Sequence, residues 1–246
     1  MLKLMKYEFR KTAFSKLILL VITAVVEIAF LLGVFLEKGN LLAIGVALLS
    51  MCAVVGVFYI GLESVIVLHR DLNTKQGYML FLTPKSSYQV LGAKVLENGI
   101  SIALTGVFFA ALAAIDVTVA TLYIGGVKEL MDLVRTFLEI NWSLNLTPAE
   151  IVLYFFGLLA SWIVYIVNAD LAVILSASVL AGKKGSGLVS FLIFVILSTL
   201  LGMLLDYIPS LASIELTFVL YIAASFAMAA VLYVISGWIM EKKLSV

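Results

Sequence analysis

Residues 17–36, LILLVITAVVEIAFLLGVFL, decide which solvent this chain folds in. The stretch carries one charge, Glu27, and no proline. As a helix rising about 1.5 Å per residue it is about 30 Å long, the thickness of a bilayer's hydrocarbon core. It is too long for the core of a cleaved signal and lacks a small-residue cleavage pattern, so it reads as a retained first span. Five further apolar stretches follow, at about 41–68, 95–122, 150–180, 187–206 and 215–239, the third with an amphipathic entry from Ser86. The second and fourth are long enough to require tilt or extension beyond the hydrocarbon. Backbone groups in lipid must be satisfied within their own segment, and no alternating strand pattern is present. The expected fold is an all-α integral membrane protein, a single transmembrane domain over 1–246 with six transmembrane helices.

Composition agrees. The chain is 64% hydrophobic and 13% charged, where a soluble domain is about half apolar and about a quarter charged. The net charge of +1 gives no reason to expect a nucleic-acid partner; membrane lipid is the expected surrounding. The lone cysteine, Cys52, sits in an apolar run and reads as a small buried hydrophobe.

Basic residues set the orientation. Thirteen of sixteen fall in the N-terminus, the connection between helices two and three, the turn after helix four and the C-terminus; Lys38, Lys128 and Arg135 are the exceptions. The positive-inside rule then places both termini in the cytoplasm of a multi-pass protein of the plasma membrane.

Segments outside the spans are also readable. In residues 1–16, Leu2, Met5, Phe9 and Ala13 recur at helical spacing among basic residues, which predicts an interfacial amphipathic helix; a plain extension of helix one is the alternative. Residues 127–139 predict an outer amphipathic helix, with Leu130, Leu133, Val134, Phe137 and Leu138 on one face. Thr147-Pro148-Ala149-Glu150 is a capping box that opens helix four. Asn141 and Asn145 head glycosylation sequons. Gly99, Ala103, Gly106, Ala110 and Ala114 form a small-residue stripe on helix three, suited to close helix packing.

Catalytic signals are missing. With one histidine, His69, and one cysteine, the chain offers no His/Cys metal site, and no hydrolase, zincin or redox motif occurs. Gly182-Lys183-Lys184-Gly185-Ser186-Gly187 lacks the leading glycine of a phosphate loop and has Lys184 where Ser or Thr belongs, so it reads as a basic turn. No enzyme activity and no cofactor are expected in this chain. What remains is a set of acids inside the spans: Glu27, Glu63, Glu97 and Asp170. Counted from the cytoplasmic ends they lie roughly 9–17 Å deep. Carboxylates at such depth face a bundle interior or a wet cavity. One reading is an acidic path for a cationic substrate. The other is local satisfaction by protonation, by Ser, Thr or Asn168, or by Lys94 or Lys16.

The connection between helices two and three, DLNTKQGYMLFLTPKSSYQVLGAK at residues 71–94, is cytoplasmic by the charge rule yet rich in aromatic and aliphatic residues. Thr83-Pro84 ends one element, and Ser86-x-x-Gln89 caps the next. This stretch resembles the one joining spans two and three in small ABC-2 type permeases, the membrane subunits of ATP-binding-cassette exporters. The resemblance implies that the connection, 69–94, holds a cytoplasmic coupling helix docking on a separate nucleotide-binding ATPase subunit, which would hold ATP and magnesium. It further implies a second permease chain, identical or different. Carried over by residue, the docking set is Asp71, Asn73, Lys75, Gly77, Tyr78, Met79, Phe81 and Pro84. The alternative is a self-contained ion-coupled transporter or channel that uses the four acids. An apolar cytoplasmic loop favours the first, since a relay has no need of it.

Overall fold

A computed structural model describes residues 2–73, 86–124, 148–180, 185–209 and 213–244. Among them are six long helices: α1 (Leu2–Phe35), α2 (Gly39–Asn73), α3 (Ser87–Ile124), α4 (Pro148–Leu180), α5 (Ser186–Asp206) and α6 (Ile214–Ile239), the last running into a π-helical turn at Met240–Leu244. No strand occurs among the described residues. All six helices are long and apolar enough to cross a bilayer, so the described part of the chain is all-helical and of the multi-pass type.

Helix boundaries follow local chemistry. Ser86 caps α3: its carbonyl accepts from the Gln89 N–H at 2.9 Å and its hydroxyl lies 3.4 Å from the same group. Pro148 stands at the first position of α4, where its missing N–H costs nothing. Ser213 caps α6 by accepting from the Leu216 N–H at 3.2 Å.

Two expectations change. No separate interfacial helix precedes the first span, because residues 2–35 form one helix with no Pro or Gly before Gly33 to break it. Its most covered residues are not the apolar stripe: Glu8 and Thr12 are buried, whereas Leu2 and Ala13 are exposed and Met5 and Phe9 half-buried. The small-residue stripe of α3 also finds no partner among the described residues. A Cβ at Gly99 or Gly106 would meet nothing within 4 Å, and Ala110 and Ala114 are exposed. Lipid is as apolar as leucine, so apolarity alone does not decide which face of a helix turns inward. The expected outer helix at 127–139 lies outside the described residues, as do residues 74–85 of the connection 69–94 expected to hold the coupling helix.

Two compact units result. The first joins Met1–Glu8, Gly61–Gly99 and Leu146–Val246. Its core is Leu68, Val90, Leu91, Val164, Val167, Leu171, Ile174, Leu232 and Met240 with their neighbours. Helix α4 runs through it, packed against α5 and α6, and residues 166–174 are buried on every side. Gly237 gives room to the Tyr88 ring and Gly61 to the Trp162 ring; in both places a Cβ would collide with the aromatic edge.

The second unit joins Phe9–Ile60 and Ile100–Asn145, with a core of Phe30, Val34, Leu42 and Ala120. Here α1 and α2 form an antiparallel hairpin of very close approach. Gly33 faces the Leu42 backbone, Gly45 faces Phe30 and Gly56 faces Leu19. Each pair of residue numbers has the same sum, as a constant antiparallel register requires. The connecting turn is a Schellman motif: the Lys38 N–H bonds to the Gly33 carbonyl and the Glu37 N–H to the Val34 carbonyl, both at 3.1 Å. Glu37 holds the left-handed position at φ 51°, which glycine occupies without a steric penalty.

Glu37→Gly is therefore expected to stabilise the hairpin by about 1 kcal/mol, and Gly45→Val, aimed at the Phe30 backbone, to destabilise it by about 2 kcal/mol or more. Thermal unfolding of the two variants in one detergent checks both signs.

Candidate functional site

The polar residues of α3 explain what lies inside. Lys94, Glu97, Asn98 and Ser101 are spaced i, i+3, i+4 and i+7, which puts them on one face of the helix, and each is at least 96% buried. In lipid such a face turns inward, because its groups find no partners among acyl chains.

Lys94 is the centre of the first unit's polar interior. Its ammonium lies 3.0 Å from Glu8 Oε2 and 2.9 Å from Asp71 Oδ2. All three side chains are buried, with Lys94 only 1% exposed. The triad ties together the start of α1, the end of α2 and the first turns of α3. Asp170, fully buried on α4, lies within electrostatic reach of Lys94, and neither of its carboxyl oxygens receives a hydrogen bond among the described residues. Nearby, Asn98 Nδ2 donates to the Gly61 carbonyl at 3.1 Å, which fixes α3 against α2 where Trp162 passes. Ser186 Oγ and His69 Nε2 lie 3.3 Å apart, and Ser176 donates to the Ser186 carbonyl at 2.7 Å, joining α2, α4 and α5 at one end of the unit.

The residues expected from the sequence are distributed as follows. Asp71 lies inside the ion triad. Asn73 ends α2 and donates to the His69 carbonyl at 2.9 Å. Lys75, Gly77, Tyr78, Met79, Phe81 and Pro84 lie outside the described residues. Glu63, Glu97 and Asp170 are all buried in the first unit. Glu27 belongs to the second unit, where its carboxyl meets that of Asp116.

Glu8 and Asp116 are additions to the expected set, and Lys94, expected only as a candidate partner of the span acids, is the centre of the triad. Asp116 was legible as a further acid inside the 95–122 run. Lys94 was legible as the one basic member of the polar stripe on α3. Glu8 carried no local signal, because its partner is 86 positions away.

Nothing in the triad is a nucleophile poised by a base. Among the described residues no three His, Cys, Asp or Glu side chains gather to hold a metal ion. The arrangement is a buried ion triad joining three helices, with further buried acids in the same unit. No family model, no curated protein and no solved structure matches the chain. Its function therefore rests on this geometry and on residues 71–94.

Removing Lys94 leaves two carboxylates buried without their cation. Lys94→Met is expected to cost about 3–5 kcal/mol, and the triple change Glu8→Gln, Asp71→Asn, Lys94→Met less than half of that. A mutant cycle measured by detergent unfolding tests this, and equal losses in both would show that the charges contribute nothing.

Proposed function

We propose that the chain is the membrane-spanning permease subunit of an ATP-binding-cassette exporter, driven by a separate ATPase that docks on residues 73–82. The single observation that carries the reading is the Asp71–Lys94 ion pair. These are the first and last residues of the stretch that resembles the coupling segment of small ABC-2 permeases, so the segment is closed at its base by a buried bond. Its C-terminal half is anchored as well. Val90, Leu91 and Ala93 are core residues, and the Tyr88 carbonyl accepts the Tyr233 hydroxyl.

A push on residues 73–82 would then be delivered to α2 and α3 together rather than absorbed by a slack loop. Through Leu68, Val90 and Leu91 it would reach α4 and α6. Interfaces that are close-packed respond to such a push by switching between discrete arrangements. Two ATPase subunits closing on ATP would supply it, with a second permease chain completing the assembly. In this scheme Tyr78 and Phe81 are apolar anchors, Lys75 is a polar contact, and Asp71 acts beneath the loop as a strut. Placement in the cytoplasmic membrane with both termini inside follows from the distribution of basic residues.

A second reading, an ion-coupled transporter, draws on Asp170, a fully buried carboxyl with no hydrogen bond among the described residues.

The two readings part in one experiment. The tagged chain, purified gently from its host, should carry a soluble ATPase in stoichiometric amount. Tyr78→Asp or Phe81→Asp should remove that ATPase while leaving membrane insertion intact. Recovery of the chain alone, with nucleotide present, together with transport abolished by Asp170→Asn, would favour the ion-coupled reading.

A further inference from the structure

The second unit contains a cleft that the coupling scheme does not use. It lies between α1, α2 and α3, has a volume of about 260 Å³, and is walled by Phe30, Val46, Leu49, Phe109, Leu112 and Val117. At roughly 30 Å³ per water molecule it has room for about nine waters, or a ligand of about ten non-hydrogen atoms. One ionisable group lines it, Asp116. Asp116 is 9% exposed, and its Oδ1 receives no hydrogen bond among the described residues. Its carboxyl is hydrogen-bonded to that of Glu27, so the two share a proton and hold at most one negative charge between them; Glu27 Oε2 is likewise buried and receives no hydrogen bond among the described residues.

Ser50, the one hydroxyl among the residues lining the cleft, does not satisfy the free Asp116 oxygen, and neither do Thr23 and Thr118 on the flanking helices. Thr23, Ser50 and Thr118 each donate to the carbonyl four residues back in their own helix, at 2.9, 2.8 and 2.7 Å. One carboxyl, Asp116, therefore presents an acceptor oxygen without a hydrogen bond to an apolar cleft that contains two phenylalanine rings, with Glu27 behind it. Carboxylate oxygens call for a cation. Ring faces favour a weakly hydrated organic cation over a metal ion, and the apolar walls demand a hydrocarbon body.

We propose that this cleft binds a small organic cation, its charge seated at Asp116 and its apolar body against Phe30, Leu49 and Phe109. Binding here needs no ATPase, so the proposal stands or falls apart from the exporter reading. If that reading also holds, the cleft names a substrate class for it.

The probe is phenyltrimethylammonium, about the size the cleft admits, with tert-butylbenzene as its uncharged counterpart of the same shape. Equilibrium binding of the tritiated cation is measured on the full chain in lipid nanodiscs. The expected result is saturable binding to one site per chain that tert-butylbenzene displaces at least about tenfold less well than the unlabelled cation. Asp116→Asn should weaken cation binding about tenfold or more. Ala113→Phe, which fills the cleft from an exposed lining position and leaves both carboxyls in the chain, should abolish it. Equal competition by the two compounds would overturn the proposal and mark the cleft as a lipid-filled groove. So would unchanged cation binding by a folded Asp116→Asn chain. The competition on the unaltered chain decides the matter even if a variant fails to fold.

Discussion

Lys94 holds its ammonium 3.0 Å from one carboxylate and 2.9 Å from another, with all three side chains withdrawn from solvent. The rest of the first unit is arranged around that constraint. A buried charge costs several kcal/mol unless it is paired, and the pairing returns that energy only when the geometry is close. Helix α3 must therefore present Lys94 to Asp71 on α2 and Glu8 on α1 at the same time. This sets the rotation of α3 about its axis. Once it is set, Val90 and Leu91 fall into the core beside Leu68, and Asn98 reaches the Gly61 carbonyl.

The same logic explains why apolar pattern predicted spans well and packing faces poorly. Hydrophobicity separates chain in lipid from chain in water, and each of the six helices carries one of the six apolar runs, with α1 and α3 starting well before theirs. Between lipid and protein it separates nothing. On α3 the small stripe of Gly99, Gly106 and Ala110 is left open, while the polar stripe of Lys94, Glu97 and Asn98 is covered. On α1 the covered residues include Glu8, Thr12 and Thr23 as well as Phe30 and Val34. In this chain the polar residues are the better guide to the interior.

Close approach of backbones supplies the complementary device. The α1–α2 hairpin relies on Gly33, Gly45 and Gly56, whose absent side chains let the partner helix lie against the backbone or a leucine tip. None of the three stands out in sequence, since each is one glycine in an apolar run. Their common register emerges only when the two helices are laid side by side. Close packing of this sort gives van der Waals contact where the hydrophobic effect offers no drive for helix association.

By itself, the sequence determined the number and position of the spanning helices, the caps at Ser86 and Pro148, the asymmetric placement of basic residues, and the presence of acids where lipid would not tolerate them freely. Those properties depend on residues near one another in the chain, where length, periodicity and composition act directly. Tertiary structure alone decided which acid meets which partner. Glu8 and Lys94 are separated by 86 positions, and Glu27 finds Asp116 from another helix altogether. A carboxylate inside a span signals that a partner or a proton is required, but its identity depends on helix rotation and register. Those are settled by the joint satisfaction of all the buried polar groups, and no local stretch of sequence contains that sum.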